Sequence, residues 1–256
     1  MRVTVLGGSA SSPNAGMGCA GVLVRTPAAT LALDLGPGTL PELRKHADFR
    51  RLDAVVVSHM HLDHVLDVLA LRHALAYNPV AAPGPVPVWL PPGGADLLAR
   101  AAAPFDACDE PGRFAATVEV REYEPARPLR IGDAVVSFAP AAHYLPAWAM
   151  RVSAPGDADL GYTGDTGPAV NLAGFFANVG VLAAEATLAE PGPRPVADRG
   201  SLTGREAGEL AAASGAKTLL LTHYWEEVDV EAVRAQAAAV FSGRIEVARP
   251  GLTLAT

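Results

Sequence analysis

Two cysteines, Cys19 and Cys108, are all that this 256-residue chain contains. A disulfide framework needs more, and neither stands in a Cys-x-x-Cys pair, so a reduced, intracellular setting is the default expectation. Charge is scarce too: only 18% of residues are Asp, Glu, Lys or Arg, the net charge is −7, and no Lys/Arg run occurs. A protein that depends on long contact with a nucleic-acid backbone carries a basic stripe, which argues against large polyanions as partners. Small phosphate esters stay open, because bound cations would offset the negative charge locally. Long apolar helices are missing as well. The longest uncharged stretch, residues 74–95, is broken by Pro79, Pro83, Pro85, Pro87, Pro91 and Pro92, so it cannot cross a membrane as a helix. The N-terminal segment Met1–Leu6 runs as a strand into Gly7-Gly8, too short for a signal-peptide apolar region. A cytoplasmic protein is expected. Half of the residues are hydrophobic, enough for one large core, and a single domain over residues 1–256 is expected.

What the chain has is alternation. Short β-branched runs bounded by Gly and Pro predict strands at Val3–Leu6, Gly21–Arg25, Leu31–Asp34, Ala54–Val57 and Val86–Leu90. Helical spacing predicts helices over Thr39–His46, Leu66–Tyr77 and from Gly93 to Ala102. The second half repeats the order, with strands at Val118–Tyr123, Val135–Phe138, Ala149–Ser153 and Leu160–Thr163. Val179–Ala184 and Thr218–Thr222 are apolar enough to be buried on both faces. A helix over Thr203–Ser214 opens with Thr203 as N-cap and Glu206 as its capping-box partner, and another covers Val230–Phe241. Two sheets covered by helices on their outer faces satisfy this order.

Histidine is concentrated. His59-Met60-His61-Leu62-Asp63-His64 packs three imidazoles and a carboxylate directly after Val55-Val56-Val57. These are the donors that zinc and its first-row neighbours prefer. His59 and His61, two apart on an extended backbone, point the same way and can share one ion. Asp63 and His64 follow at a turn and suggest a second ion beside the first. Of the other four histidines, His46 and His73 fall within predicted helices and read as structural. His143 and His223 each follow an apolar strand, where a sheet presents ligands at its edge. Asp165 lies on the Gly-flanked turn of Tyr162-Thr163-Gly164-Asp165-Thr166-Gly167 and completes the set.

In that order, His59-x-His61-x-Asp63-His64, His143, Thr163-Gly164-Asp165 and Leu221-Thr222-His223 resemble the metallo-β-lactamase superfamily. Ala184-Glu185-Ala186-Thr187 and Leu202–Gly208 are most similar to its ribonuclease Z-like branch, which includes small bacterial cyclic-nucleotide phosphodiesterases. The resemblance implies an α+β fold, a four-layer αββα sandwich of two mixed sheets with helices outside. It implies two divalent metal ions. His59, His61 and His143 would hold one, Asp63, His64 and His223 the other, and Asp165 would bridge them. Zinc suits these donors, and manganese or iron fits them too. A metal-bridging hydroxide, its pKa brought from 15.7 toward about 7, would attack phosphorus or a carbonyl carbon, with Asp63 orienting it. Ser58, beside the cluster, reads as a backbone-satisfying residue and not a nucleophile.

Two departures from the branch narrow the reading. Its usual general-acid histidine, paired with the glutamate matching Glu185, is replaced here by Ser201, a poor proton donor. Glu185 is then expected to brace a ligand. Only residues 144–164 separate His143 from Asp165, so the long arm with which ribonuclease Z grips tRNA has no room. The expected activity is therefore a phosphodiesterase acting on small phosphodiesters such as cyclic nucleotides. Alternatives are an ester, lactone or thioester hydrolase, a ribonuclease Z-like RNA endonuclease, and a metal-bound scaffold without turnover. β-Lactam hydrolysis is disfavoured, since those enzymes normally lack the Asp matched by Asp165. The loop from Gly7 to Ser12 is expected to line the cleft. Tyr144, Trp148 and Trp225 are candidates for shaping it, and Arg25, Arg151 and Arg205 for meeting a phosphate. Relatives are often dimers, and the composition permits a homodimer.

Overall fold

The computed structural model describes residues 1–110, 112–113 and 116–256. The first sheet takes β1 (Arg2–Gly7), β2 (Gly21–Arg25), β3 (Thr30–Leu33), β4 (Ala54–Val56), β5 (Val86–Leu90), β6 (Val118–Glu122) and, from the far end of the chain, β14 (Thr253–Ala255). Their spatial order is β14-β1-β2-β3-β4-β5-β6. The second takes β7 (Leu129–Ile131), β8 (Ala134–Pro140), β9 (Trp148–Ser153), β10 (Leu160–Tyr162), β11 (Val181–Glu185), β12 (Thr218–Thr222) and β13 (Arg244–Val247), in the order β13-β12-β11-β10-β9-β8-β7. Each sheet is mixed. The run β3-β4-β5-β6 is parallel, as is β10-β11-β12-β13, and the remaining pairs are antiparallel.

Strand periodicity builds the layers. Ala54 and Val56 of β4 point into the space between the sheets, and Val55 and Val57 point outward. In β12, Leu220 points inward and Leu219 and Leu221 outward. This is why both runs read as continuously apolar: each face meets another layer. The inner core joins Val3, Val24 and Leu33 to Val136, Met150 and Leu160. Outside the first sheet, Leu43 of α1 (Thr39–His46), Val68 and Leu71 of α3 (Asp67–Tyr77) and Leu98 of α4 (Gly94–Asp106) cover it. Outside the second, Ala207 and Ala211 of α5 (Gly204–Ser214) and Val233 and Ala237 of α6 (Val230–Ala238) do the same. The result is the expected αββα sandwich. Each buried aliphatic side chain contributes about 1.5–3 kcal/mol, so both outer interfaces are well held.

Thr203 caps α5 as expected. Its hydroxyl accepts from the Glu206 amide, and the Glu206 carboxylate accepts from the Thr203 amide at 2.9 Å. Gly215, at φ 69°, ends the helix. The single-turn helix α2 (Leu62–Val65), which carries Asp63 and His64, was not anticipated; the sequence suggested a plain turn there. The edge strands β7, β13 and β14 were also missed. Among the described residues no helix is long and apolar enough to cross a membrane. Both cysteines are free, Cys19 buried and Cys108 exposed. Burial and the nearby Asp63 carboxylate push the Cys19 thiol up to about 12, so it is a packing residue.

Candidate metal centre

Every metal-ligand candidate lies just beyond the C-terminal end of a strand, at one shared edge of the two sheets. His59 and His61 follow β4, Asp63 and His64 ride on α2, His143 follows β8, Asp165 follows β10, and His223 follows β12. Parallel strands that end together bring these positions to one place although the chain separates them by up to 164 residues. His223 sits at φ 56°, a backbone conformation uncommon for a non-glycine residue and typical of functional sites. Gly164, at φ 55°, makes the turn that presents Asp165.

The seven residues form two groups of four with Asp165 common to both. In the first, His61 Nδ1 lies 3.1 Å from His59 Nε2 and 2.9 Å from His143 Nε2. Asp165 Oδ2 faces His59 and His143 at 3.8 and 3.7 Å. In the second, His223 Nε2 lies 3.3 Å from His64 Nε2 and 3.1 Å from Asp63 Oδ2. Asp165 Oδ1 faces His64 and His223 at 3.2 and 3.4 Å.

The outer nitrogens fix which inner atoms carry lone pairs. His64 Nδ1 donates to Asp34 Oδ2 at 2.7 Å. His59 Nδ1 donates to Ser58 Oγ at 3.0 Å, and the Ser58 hydroxyl donates to Asp34 Oδ2 at 2.8 Å. His143 Nδ1 donates to the Gly200 carbonyl at 2.7 Å. His223 Nδ1 donates to Thr187 Oγ at 2.8 Å, and that hydroxyl donates to Glu185 Oε2 at 2.7 Å. With their outer nitrogens held by these partners, four imidazoles would each turn an inner nitrogen's lone pair toward a bound cation, the tautomer that a metal ion requires.

These inner groups suit cations and little else. Lone pairs of His59, His61 and His143 face one another at distances where one proton can bridge only a single pair. Asp165 Oδ1 is buried with no hydrogen-bond partner, a costly state that a cation between His64 and His223 would relieve. Electrostatics agree. Burial pushes the His59 imidazole well down and the His61 imidazole down, and neighbouring imidazoles add to both. Burial pushes the His64 imidazole down too, but Asp165 and Asp34 outweigh it and hold it well above its ordinary value. Burial would raise the Asp165 and Asp63 carboxyls, yet the His223 and His64 imidazoles beside them hold both well below the usual range. The pocket is built to hold positive charge against carboxylates. Two divalent ions fit this donor set.

Around the centre, Glu185 is buried and fully engaged. Its Oε1 accepts from the Thr166 amide at 2.6 Å, and its Oε2 accepts from Thr187 and from the Leu202 amide at 3.1 Å. It touches the turn after Asp165 and, through Thr187, the outer side of His223. Burial and the Asp165 charge push its carboxyl up to about 8. Ser201 is buried beside Gly200, with no hydrogen bond to Glu185. The loop after β1 lines the cleft as expected, with the Ser11 amide donating to Asp63 Oδ2 at 2.8 Å. Ser58 is more than a backbone plug, since its hydroxyl links His59 to Asp34.

The aromatic and arginine candidates divide. Tyr144 is exposed beside His143, with ring centroids 5.0 Å apart. Trp148 packs into the inner core against Tyr123. Arg25 is spent on the His46 carbonyl, Arg151 on Asp159 and the Phe175 carbonyl, and Arg205 lies on the α5 surface near Glu209. The arginine near the mouth is one the sequence did not single out: Arg194 lies over the Tyr144 ring, 5.4 Å from its centroid. His46 and His73 stay outside both groups, His46 on Glu42 and His73 against Tyr77. Sequence reasoning also missed Asp34. Its signal was a lone carboxylate in an apolar stretch, Leu33-Asp34-Leu35, at a strand end.

The model of the Beta-lactamase superfamily domain matches residues 31–224. "Uncharacterized protein ML1173" of Mycobacterium leprae is 31% identical over 258 residues, covering 99% of this chain and 88% of its own length. "Probable metallo-hydrolase YhfI" of Bacillus subtilis is 28% identical, covering 98% of each chain. The crystal structure of that metallo-beta-lactamase fold protein superposes with a TM-score of 0.85 at 25% identity, over 100% of this chain and 98% of the other. A "Ribonuclease Z" of Bradyrhizobium diazoefficiens is 28% identical over 286 residues, covering 93% of this chain and 94% of its own.

Proposed function

The chain belongs to the metallo-β-lactamase superfamily of hydrolases, and from that premise we propose that it is a binuclear metal-dependent phosphodiesterase acting on small phosphodiesters such as cyclic nucleotides. The observation that carries this reading is the pair of four-ligand groups sharing Asp165. In this reading the chain is one domain, since both sheets supply ligands. Two divalent ions, zinc first and manganese or iron on the same donors, would supply Lewis acidity and a water of lowered pKa.

The chain's own groups do the rest. Asp63 uses Oδ2 toward His223, leaving Oδ1 to hold the proton of an attacking water and fix its direction. Glu185 braces the turn after Asp165 and, through Thr187, the ring of His223; it is a positioning residue. Ser201, where the branch has a general-acid histidine, leaves protonation of the departing oxygen to solvent. Tyr144, exposed at the mouth with Arg194 stacked on it, offers a planar cationic surface to a nucleobase.

A small substrate is supported by the segment between His143 and Asp165. It is used up by β9, β10 and the turn between them, leaving no arm with which to grip a folded RNA. The acidic net charge of −7 points the same way.

The test is a substrate panel on zinc- or manganese-loaded protein: 3′,5′-cyclic nucleotides, an aryl phosphodiester, an aryl ester, a lactone and a thioester. Turnover of the phosphodiesters, lost in Asp63→Ala, is expected. If wild type and Asp63→Ala are indistinguishable on both kinds of phosphodiester, the reading fails. Faster turnover of the acyl substrates would redirect it to carbonyl chemistry at the same site.

A further inference from the structure

The two ligand groups share Asp165 but are otherwise unequal. The first, His59, His61 and His143, has three neutral imidazoles and no carboxylate of its own. The second adds Asp63 to His64 and His223, so it brings one more negative charge. Exposure differs at one ligand: all four members of the second group are buried, whereas His61 in the first is only partly buried.

The supports behind the ligands widen the gap. His64 is backed by a carboxylate at 2.7 Å, Asp34, which is itself completely buried. Asp34 is locked in place by four donors: the Ser58 amide at 2.6 Å, the Ser58 hydroxyl at 2.8 Å, the Tyr162 hydroxyl at 2.6 Å and His64 itself. It sits at φ 57°, a conformation unusual for a side-chain-bearing residue and kept here by those contacts. His223 is backed by Thr187, with Glu185 behind it. In the first group no carboxylate touches a ligand ring directly: a serine hydroxyl backs His59, with Asp34 beyond it, and a backbone carbonyl backs His143. A carboxylate behind a ligating imidazole makes the inner nitrogen a stronger donor, and losing such a partner costs 10–100-fold in metal affinity. In a buried site its charge also acts on the bound cation with little screening.

We propose that the two sites fill in order: the Asp63–His64–His223 site takes the first ion and holds it tightly, Asp34 is the positioning residue that sets this ranking through His64, and the His59–His61–His143 site takes a second, exchangeable ion. The proposal rests on the metal-centre reading above. It makes the state with one ion a stable form of the protein, and it makes the second ion, the one nearest Tyr144, the one that free-metal levels control.

The test is a titration of metal-free protein with zinc against a competing chromophoric chelator, followed by one equivalent of cobalt as a spectroscopic probe. Wild type is expected to show two steps at one and two equivalents, separated by at least tenfold in affinity. His61→Ala keeps the tight step and its cobalt spectrum and loses the weak step. Asp63→Asn loses the tight step. Asp34→Asn, which preserves shape and tolerates the left-handed backbone, weakens the tight step 10–100-fold and the weak step far less. Tyr162→Phe removes one donor from Asp34 and keeps the charge, so it lowers thermal stability while both steps stay within about threefold of wild type. A single two-equivalent step, loss of the tight step in His61→Ala, or an equal shift of both steps in Asp34→Asn overturns the proposal. Wild type that binds no zinc overturns the metal-centre reading with it, and unequal steps in the opposite order overturn the ranking alone.

Discussion

Thr187→Val is the sharpest probe of how the ligands are held. Valine reproduces the branched shape of threonine and deletes one hydroxyl. That hydroxyl lies 2.8 Å from His223 Nδ1 and 2.7 Å from Glu185 Oε2. Without it, a buried imidazole N–H has no acceptor and a buried carboxylate loses one of its three donors. Each unsatisfied buried group costs about 1–3 kcal/mol, so a total of about 2–3 kcal/mol is expected. For a chain of this size that is a Tm lower by roughly 4–12 °C. The imidazole also becomes free to rotate or change tautomer, which should weaken zinc binding about 10–100-fold. The assays are thermal melts with and without zinc and a competitive zinc titration. Because zinc binds the folded form, the Tm deficit should be larger with zinc than without it. A variant that melts lower but binds zinc like wild type would refute the relay and leave Thr187 a packing residue.

Three further outcomes follow from the same geometry. Gly36 lies under the metal loop, where an added Cβ would be 1.9 Å from the Asp63 carbonyl oxygen. Gly36→Ala must push that backbone by about 1 Å, so turnover should fall about 100-fold while the protein stays folded, and a wild-type rate would contradict the placement of Asp63. Ser201→His should speed the cleavage of substrates with poor leaving groups by 10-fold or more and leave activated aryl esters unchanged; no change for either means that position 201 lies outside the chemistry. Arg194→Ala should raise KM for a cyclic nucleotide about 3–10-fold at unchanged kcat, as loss of one stacking surface would, and a fall in kcat alone would assign Arg194 a different role.

The strands most plainly legible in the sequence are those buried on both sides, although the mostly exposed edge strand β6 was read as well. β4 and β12 read as strands because every position meets a layer, and the α5 capping box was visible because Thr203 and Glu206 satisfy each other locally. β7 and β13 escaped because they are edge strands whose residues are mostly half-buried or exposed, so no alternation marks them. Three-residue β14 is held by pairing with β1, a partner more than 240 residues away that no local pattern announces. The site divides the same way. His59, His61, Asp63 and His64 are contiguous, and His143, Asp165 and His223 each end an apolar strand, so all seven could be named. Asp34 could not, because its meaning comes from His64, Ser58 and Tyr162, which only the folded sheet brings to it. Arg194 lies in an exposed Pro-rich loop, and nothing local distinguishes it from a solvated charge until Tyr144 is beneath it.

The most direct test of the account is elemental analysis of protein passed through a desalting column after equilibration with excess zinc, manganese and iron. Close to two transition-metal ions per chain is the predicted result, with at least one surviving a further passage through buffer without metal. Protein that emerges with no transition metal, while still folded and monodisperse, would contradict the claim that these five imidazoles and two carboxylates converge to hold a pair of cations.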